Sequence, residues 1–478
     1  MRIFSRDTLS PLVHLSNNWL SLSGVVIVTT ATVFWLFLLP VTLRGEITHP
    51  YIGILVFLLL PGFFIAGLLL IPLGIVLRRR RERGRAAAAT GGLPSLNWGN
   101  VDFRRLVLFV GFTTFVNIAV ASQLTYGAVN YMDSVTFCGE TCHKVMQPEF
   151  TAHQNSPHAR VACVECHIGP GASWFVRSKL SGVGQVFATT FDTYPRPIPV
   201  PVRNLRPARE TCEVCHWPQR FDQDKLVVIP AYAEDEHNTA SETVLLVKIG
   251  GRGQGIHGVH VGAGVHIRYA PSDESRQTIP WVEYEDALGH KTVYSTTGGK
   301  GGPPANLQTR EMDCIDCHNR PTHTFQLPDH ALDNAMAAGL ISPTLPFIRK
   351  QGLQILKKPY VTREAAAEQI PAAVTAYYRE NYPAVYQGQS ETVGQAGQAL
   401  LAIYNRNVFP AMKITWGTYP NNIGHNDFPG CFRCHDGNHT SAGGKAVTQD
   451  CGACHNVLAV QESNPKILTD LGLNGTTP

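Results

Sequence analysis

Pairs of cysteines followed by a histidine recur along this chain of 478 residues, which contains 12 cysteines and 19 histidines. Ten cysteines form five C-x-x-C-H motifs, whereas roughly 0.01 such matches would arise by chance at this composition. The motifs are Cys163-Val-Glu-Cys166-His167, Cys212-Glu-Val-Cys215-His216, Cys314-Ile-Asp-Cys317-His318, Cys431-Phe-Arg-Cys434-His435 and Cys451-Gly-Ala-Cys454-His455. The other two, Cys138 and Cys142, enclose three residues and precede His143, so no cysteine is left over.

The spacing suits the covalent attachment of haem. Two thiols form thioethers to the vinyl groups of one porphyrin, and the adjacent histidine lies under the iron as an axial ligand. A disulfide framework does not require a histidine after every second cysteine, and structural zinc combines paired sites to complete four ligands. The motifs therefore predict six haem c groups. Because haem is attached to such motifs outside the cytoplasmic membrane, the part of the chain that carries them is expected to face the periplasm or the cell exterior.

The second axial ligand of each iron determines its chemistry. Histidine or methionine gives an electron-transfer haem, and an open position permits reaction with a small substrate. Histidines close to motifs are the best candidates, and we expect ligands at His158, His323, His425 and His439. A further cluster, His257, His260 and His266, is expected to supply at least one ligand, but the sequence does not select it. Such ample histidine favours bis-histidine irons and electron relay.

Three apolar stretches precede the motifs. Residues 19–43, 51–77 and 106–130 contain no charged residue, and each can cross a bilayer core of about 30 Å at about 1.5 Å per residue. A buried helix of a globular protein rarely stays apolar on all sides for this length. The sequence therefore predicts a membrane anchor over residues 1–130, with three transmembrane helices and a cytoplasmic loop at 78–105.

Arginine residues indicate the orientation of this anchor. The stretch "RRRRERGR" at 78–85 follows the second span, and cytoplasmic loops are enriched in Lys and Arg. The N-terminus is then cytoplasmic, and the third span leads to the periplasmic side of a bacterial cytoplasmic (inner) membrane. The position of the arginine run beside a span argues against a nucleic-acid partner. Haem propionates would offset the formal net charge of +4.

Beyond the anchor we expect a multihaem cytochrome c domain that is mostly α-helical and irregular, with a β-rich insertion. Residues 131–220 hold the first three motifs, and 461–478 form a tail. Residues 221–310 alternate apolar and polar residues, as in "GVHIRYA" and the hairpin "WVEYEDALGHKTVYST". Residues 311–460 combine the last three motifs with segments of helical periodicity, such as "TREAAAEQIPAAVTAYYRENY".

The stretch "FCGETCHKVMQPEFTAHQNSPHARVACVECHIGPGASWFVRSKLSG" resembles the opening of the NapC/NirT/NrfH quinol dehydrogenases. There, a membrane helix leads into a haem motif with a nearby Met, and an S-x-H segment, a second motif and a basic stretch follow. The resemblance covers roughly residues 105–220 of this chain. It implies that Met146 is an axial ligand of the first haem, that Lys179 helps to form a quinol pocket and that Asp192 completes this pocket.

The leading hypothesis is a membrane-bound hexahaem cytochrome c. It would oxidise quinol, such as menaquinol, from the membrane pool at the haem nearest the membrane and pass electrons to periplasmic cytochromes or reductases. The alternative is a non-catalytic electron-transfer subunit of a larger respiratory or photosynthetic membrane complex, in which the extra spans dock other membrane subunits. A third hypothesis, a periplasmic reductase of nitrite or a sulfur oxyanion, requires one iron with an open position.

Overall fold

A computed structural model gives the structure of residues 58–86, 129–141, 143–169, 171–202, 206–217, 223–250, 254–299 and 301–473, and of scattered residues within 18–32 and 122–127. The chain divides into two compact units, Met1–Met146 and Gln147–Pro478, which we call the N-terminal unit and the C-terminal unit.

Helix α1 (Leu60–Ala86) dominates the described part of the N-terminal unit. Its stretch Leu60–Arg81 has 22 residues and includes an 18-residue segment with a mean hydropathy of 2.4, and a helix of 22 residues extends over about 33 Å. Within the described residues it is the one helix that is long and apolar enough to cross a membrane. Helix α1 overlaps the second predicted span and then continues through the arginine run.

The other two predicted spans lie largely outside the described residues. The described positions between 19 and 32, which belong to the predicted span 19–43, are helical. The described positions between 122 and 130, at the end of the predicted span 106–130, are helical as well. The presence of three transmembrane helices therefore stays a prediction.

Small residues bring α1 against the helical positions near the N-terminus. A Cβ atom added to Gly24 would lie 2.7 Å from the Gly67 carbonyl oxygen, and one added to Gly74 would lie 2.7 Å from the Ser21 nitrogen. The Ser21 hydroxyl donates to the Ile71 carbonyl at 2.9 Å. Close approach through small residues is typical of helix pairs in membranes. Large apolar side chains of α1 that remain exposed include Phe63, Ile65, Leu69 and Leu73.

Two antiparallel sheets lie in the C-terminal unit. Their strands are β1 (Lys225–Tyr232), β2 (Ala240–Val247), β3 (His266–Ala270), β4 (Trp281–Glu285), β5 (Lys291–Ser295), β6 (Arg310–Glu311), β7 (Thr440–Ser441) and β8 (His455–Glu462). One sheet has the order β1-β2-β8 and the other β6-β3-β4-β5-β7. The predicted hairpin is present as β4 and β5, in which Val282 pairs with Tyr294.

The sheets connect the β-rich segment to the haem motifs. Strand β8 begins at His455, the last motif histidine, and pairs with β2. Strands β6 and β7 similarly come from regions next to the fourth and fifth motifs. The β-rich segment therefore shares both of its sheets with the C-terminal motif region, a pairing that local periodicity does not reveal.

The remaining helices follow α1 in chain order. They are α2 (His143–Gln154), α3 (Cys163–His167), α4 (Ala172–Thr190), α5 (Ala208–Cys212), α6 (Gly255–Val261), α7 (Cys314–Cys317), α8 (Pro328–Ala337), α9 (Ile348–Leu356), α10 (Arg363–Asn381), α11 (Pro383–Gly388), α12 (Ser390–Asn407), α13 (Cys451–Cys454) and α14 (Lys466–Asp470). Helices α8, α9, α10 and α12 occupy the segments of predicted helical periodicity.

Helices α8 to α12 enclose the largest side-chain core of the described residues, with Leu332, Ile370, Tyr378 and Leu400 fully buried. Asn238, between β1 and β2, attaches the first sheet to this bundle. Its side-chain amide donates to the Pro343 and Leu345 carbonyls at 2.9 Å each. The bundle separates the fourth motif from the fifth in sequence, and its core contains none of the motifs.

Candidate haem sites

Short helices present the motif cysteines. The second, fourth and sixth motifs lie on α3, α7 and α13, the third begins at the end of α5, and the fifth overlaps a 3₁₀ helix at Gly430–Arg433. Asp313 and Asp450 cap α7 and α13 by accepting hydrogen bonds from backbone N–H groups. Residues three apart on a helical turn lie on the same side, so the two thiols of a motif can reach one porphyrin edge.

The nine cysteines from Cys166 to Cys454 are free thiols. The part of the chain that the structure describes also contains no cluster of three or more His, Cys, Asp or Glu side chains arranged to hold a metal ion. A structural zinc site requires four converging ligands.

Each regular motif histidine faces a second histidine from elsewhere in the C-terminal unit. The separations between ring centres range from 5.8 to 6.3 Å. Two imidazoles bound at about 2 Å on opposite sides of one metal ion place their ring centres about 6 Å apart. The pairs are His167 with His323, His216 with His158, His318 with His257, His435 with His260 and His455 with His425.

Hydrogen bonds fix the orientation of several of these rings. The Nδ1 atoms of His323, His260 and His435 lie 3.0, 2.8 and 2.7 Å from the carbonyl oxygens of residues 149, 256 and 448. A carbonyl only accepts, so Nδ1 is the donor and Nε2 remains available to a metal. The Nδ1 atoms of His158 and His455 are buried and have no hydrogen-bond partner among the described residues.

Burial favours the neutral imidazole, which metal ligation requires, in five of these ten histidines. It is the main cause that lowers the pKa of His167, His257, His260 and His318. The pKa of His323 is lowered to about 3, by burial first and by the charge of Arg320 second. The ring pairs, the fixed tautomers and the neutral state together fit bis-histidine haem.

Two of the histidines predicted as ligands are not paired with a motif histidine. His439 is buried, and both of its ring nitrogens are engaged, with the Ile279 carbonyl at 2.5 Å and the Asp436 carboxylate at 2.7 Å. His266 is exposed, and its Nδ1 lies 2.7 Å from the Glu311 carboxylate. These contacts give His439 and His266 roles in local structure.

One short helix provides two members of the ring pairs. Helix α6 has seven residues and carries His257 and His260, which face the fourth and fifth motif histidines, His318 and His435. Residues three apart lie on the same helix side. The fourth and fifth sites are therefore neighbours that share one supporting element.

The thiols also show which motifs are adjacent. The pKa of Cys166 in the second motif is raised by burial first and then by the charge of Cys212 in the third. A hydrogen bond between the Cys212 and Cys314 thiols raises the pKa of Cys314 in the fourth motif. Thioethers no longer titrate, so these shifts serve as markers of proximity in the chain without haem. They bring the second, third and fourth motifs together in sequence order.

The proximity of consecutive motifs continues from the fourth motif to the sixth. The pKa of Cys317 is raised by burial, which exceeds the opposing effect of Arg433, and the charge of Cys431 in the fifth motif raises it further. The pKa of Cys454 in the sixth motif is raised by burial and then by Cys431. The five regular motifs thus form a chain in space that follows their order in sequence.

A buried charge network attaches the fourth motif to its neighbours. Asp316, within α7, accepts hydrogen bonds from the Tyr269 hydroxyl at 2.6 Å and from Arg276 and Arg310 at 3.1 Å. Arg433 of the fifth motif donates to the Asp316 carbonyl at 2.6 Å. The motif signature itself does not predict this network, since its members come from distant segments.

The irregular first motif differs from the other five. A π-helix at Phe137–Thr141 carries Cys138, and α2 begins at His143. Met146 is half-buried and lies three residues further along α2. Positions three apart lie on one side of a helix, so α2 carries His143 and Met146 at positions on the same side.

The two predicted quinol-site residues lie at separate points of one segment. Lys179 lies inside α4, and Asp192 follows the end of this helix with a left-handed φ of 56°. Thirteen residues correspond to roughly 20 Å along a helix axis. The Asp192 carboxylate is exposed and forms an ion pair with Arg196, a partner that the sequence analysis did not identify.

Comparisons with known proteins identify sequence relatives of this chain. The NapC/NirT cytochrome c family, N-terminal region, matches residues 102–197. The cytochrome c-type protein ImcH of Geobacter sulfurreducens is 40% identical over 451 residues, which cover 94% of this chain and 89% of ImcH. The cytochrome c-type protein NrfH of Wolinella succinogenes is 30% identical over 118 residues, which cover 24% of this chain and 64% of NrfH. No solved structure matches.

The similarity to ImcH extends over nearly the whole chain, whereas the family match and the similarity to NrfH cover shorter regions. The resemblance inferred from the first two motifs is thereby confirmed. The chain belongs to the NapC/NirT cytochrome c family and is a membrane-type multihaem cytochrome with covalently bound haem c.

Proposed function

We propose that this protein is a hexahaem quinol dehydrogenase that moves electrons from the membrane quinol pool to periplasmic cytochromes or reductases. The observation that carries the proposal is the series of five facing histidine pairs, 5.8 to 6.3 Å apart between ring centres. Haem c, when bound, accepts and releases single electrons. A series of closely spaced bis-histidine sites suits relay better than reaction with a small substrate.

Each regular site has four protein groups in this proposal. The two motif cysteines attach the porphyrin, the motif histidine binds one face of the iron, and the facing histidine binds the other. The distal ligands in motif order are His323, His158, His257, His260 and His425. Two of them, His257 and His260, come from α6. The cluster in the β-rich segment, from which at least one ligand is expected, would therefore supply two.

The sixth haem belongs to Cys138 and Cys142, and this is the proposed electron entry point. The support is its position after the predicted span 106–130 and the similarity to NrfH. Quinol oxidation releases two electrons and two protons. Lys179 would hold a quinol oxygen. Asp192 lies roughly 20 Å further along the segment and is paired with Arg196, so it would take up a released proton away from the quinol and only after this ion pair opens. Either His143 or Met146 would bind the iron and leave its other face towards the quinol.

The proposed setting is the bacterial inner membrane. Three spans would anchor the protein, with the N-terminus and the arginine run in the cytoplasm and the haem motifs in the periplasm. Helix α1 supports one of these spans. The positive-inside rule supports this orientation of the spans. The same orientation meets the need to attach haem outside the cytoplasm.

The proposal is tested by mixing the full-length protein, purified in detergent, with a menaquinol analogue and following haem absorbance. We expect rapid reduction, and Lys179→Gln should slow it by about 10- to 100-fold, as loss of a positioned polar contact does. Lys445→Gln, at an exposed loop position, should react like the wild type. A protein that dithionite reduces but quinol does not would favour the alternative of a non-catalytic subunit.

A further inference from the structure

A buried ion pair lies against one of the distal histidines. Arg320 binds both carboxylate oxygens of Glu149 through Nη2, at 3.0 and 2.9 Å. The side chains of Arg320 and Glu149 are only 6% and 14% exposed. Neither residue belongs to a cysteine motif, and neither is a ligand in the proposal above.

Both members of the pair also contact His323. The Nδ1 atom of this histidine lies 3.0 Å from the Glu149 carbonyl oxygen and 3.2 Å from its carboxylate. Arg320 donates from Nε to the His323 carbonyl at 2.6 Å. The proton of the imidazole therefore faces a carboxylate whose charge is balanced by one guanidinium.

Aromatic rings hold the guanidinium in place. Arg320 lies over the Tyr419 ring at 4.1 Å and near the Phe325 ring at 5.1 Å. The Tyr419 hydroxyl in turn donates to the Ile198 carbonyl at 2.9 Å. The pair is thus fixed on several sides, with little freedom to turn towards water.

The contact of this ion pair with His323 matters more than the contribution of the pair to stability. A buried ion pair contributes little net stability, because desolvation offsets the attraction between the charges. The partner of the remote ring nitrogen, however, alters the basicity of a metal-bound histidine. A charge near the iron also affects the reduction potential strongly, because the buried medium between them has a low effective dielectric constant.

We propose that Glu149 and Arg320 are positioning residues that set the reduction potential of the haem on Cys163 and Cys166 by acting through His323. The inference rests on the proposed ligation of this haem by His167 and His323. Glu149 is six residues beyond His143 on α2, and Arg320 is two residues beyond His318. One charge pair therefore links the segments of the first and fourth motifs to the potential of the second haem.

The two charges should act in opposite directions. Glu149→Gln leaves the guanidinium unbalanced, which disfavours the more positive ferric state and raises the potential. Arg320→Gln leaves the carboxylate unbalanced beside the Nδ1 proton, which favours the ferric state and lowers the potential. We expect the ferrous-to-ferric ratio of this haem at a fixed ambient potential to change by about tenfold in each case, in opposite senses.

The test is a potentiometric titration of the full-length protein with mediators, followed by electron paramagnetic resonance. His323→Met identifies the signal of the second haem. Arg320→Lys should restore a near-normal potential because it keeps the charge, and the double variant E149Q/R320Q should lie between the single variants.

The matched control is Asp333→Asn, which breaks another buried ion pair, with Arg349 at 2.8 Å, inside the helical bundle. It should lower stability and leave the potential of the second haem unchanged. Shifts of the same sign in Glu149→Gln and Arg320→Gln, or a similar shift in Asp333→Asn, would overturn the inference. The titration uses no quinol, so failure of quinol oxidation would not affect it. An unchanged spectrum in His323→Met would instead refute the proposed ligation.

Discussion

The ring nitrogens of the histidines separate ligand candidates from structural residues. His425 stacks on Phe432 and faces the motif histidine His455, with the ring centres 6.2 Å apart. His439 is equally close to a motif in sequence, but protein acceptors engage both of its nitrogens. Distance from a motif along the chain is therefore a weaker criterion than the use of the ring nitrogens.

This distinction gives a prediction for two variants. His425→Ala should convert the haem on Cys451 and Cys454 from low spin to high spin, because its iron loses one of two strong ligands. His439→Ala should keep every regular haem low spin and lower stability by about 1 to 3 kcal/mol, the cost of unpaired buried polar groups. Absorption and electron paramagnetic resonance spectra of the two proteins measure the difference. A high-spin signal in His439→Ala would contradict the assignment.

The sequence predicts the proximal half of each regular site and only part of the distal half. A motif such as Cys163-Val-Glu-Cys166-His167 places its ligands by local spacing. His323 faces a motif histidine 156 residues earlier in the chain, a relation that depends on tertiary structure. For the same reason, spacing alone could not select His257 and His260 over His266.

At the level of elements, close helix packing in the N-terminal unit depends on glycine. Gly67→Leu should weaken the contact between α1 and the helical positions near residue 24, because even a Cβ atom would lie 2.9 Å from the Gly24 carbonyl oxygen. We expect a loss of about 1 to 3 kcal/mol from overpacking. Gly62→Leu is the matched control, since nothing lies within 4 Å of a Cβ atom there. Thermal unfolding in detergent that is equal for both variants would contradict this packing.

A loss of stability in the helical bundle should leave the haem sites unaltered. Leu400→Ala opens a cavity in a fully buried position and should cost about 2 to 5 kcal/mol. The Soret and α bands should keep their positions in the folded variant, because the core of the bundle contains none of the motifs. Val361→Ala, at an 87% exposed position, is the control and should unfold like the wild type. Altered haem bands in folded Leu400→Ala would show that the bundle helps to set ligation.

Elements with a strong periodicity of apolar residues follow from the sequence, whereas the strand pairings between distant segments do not. The hairpin β4–β5 and helix α10 follow from local patterns of apolar residues. Helix α6 and the pairing of β8 with β2 do not, since α6 has seven residues within a glycine-rich stretch and β8 lies over 200 residues from β2 in sequence. Short elements and long-range pairings depend on tertiary contacts that periodicity does not contain.

For the molecule as a whole, the haem count is directly measurable. Intact-mass spectrometry should show the 52.4 kDa chain with six covalently bound haems. Cys138→Ala with Cys142→Ala should remove one haem and abolish reduction by quinol, while dithionite still reduces the others. Five haems in the wild type would show that the irregular first motif does not carry one.

The orientation of the anchor gives a second prediction at this scale. Trypsin should cleave near the arginine run at 78–85 when it is added to inside-out membrane vesicles, because that side exposes the cytoplasmic loop. Right-side-out vesicles should protect this run and expose the haem-bearing segment. Cleavage at the run in right-side-out vesicles would contradict the predicted topology.

The facing histidine pairs also constrain how the protein is made. In the proposed ligation, His323 follows Cys163 and Cys166 by more than 150 residues, whereas His158 precedes the third motif. If haem is attached as each motif is exported, the second haem would keep one open face until His323 arrives, while the third could close at once. Ligation would then not follow the order of haem attachment, and a chain truncated before residue 323 would carry an early haem that is attached and reactive towards small ligands.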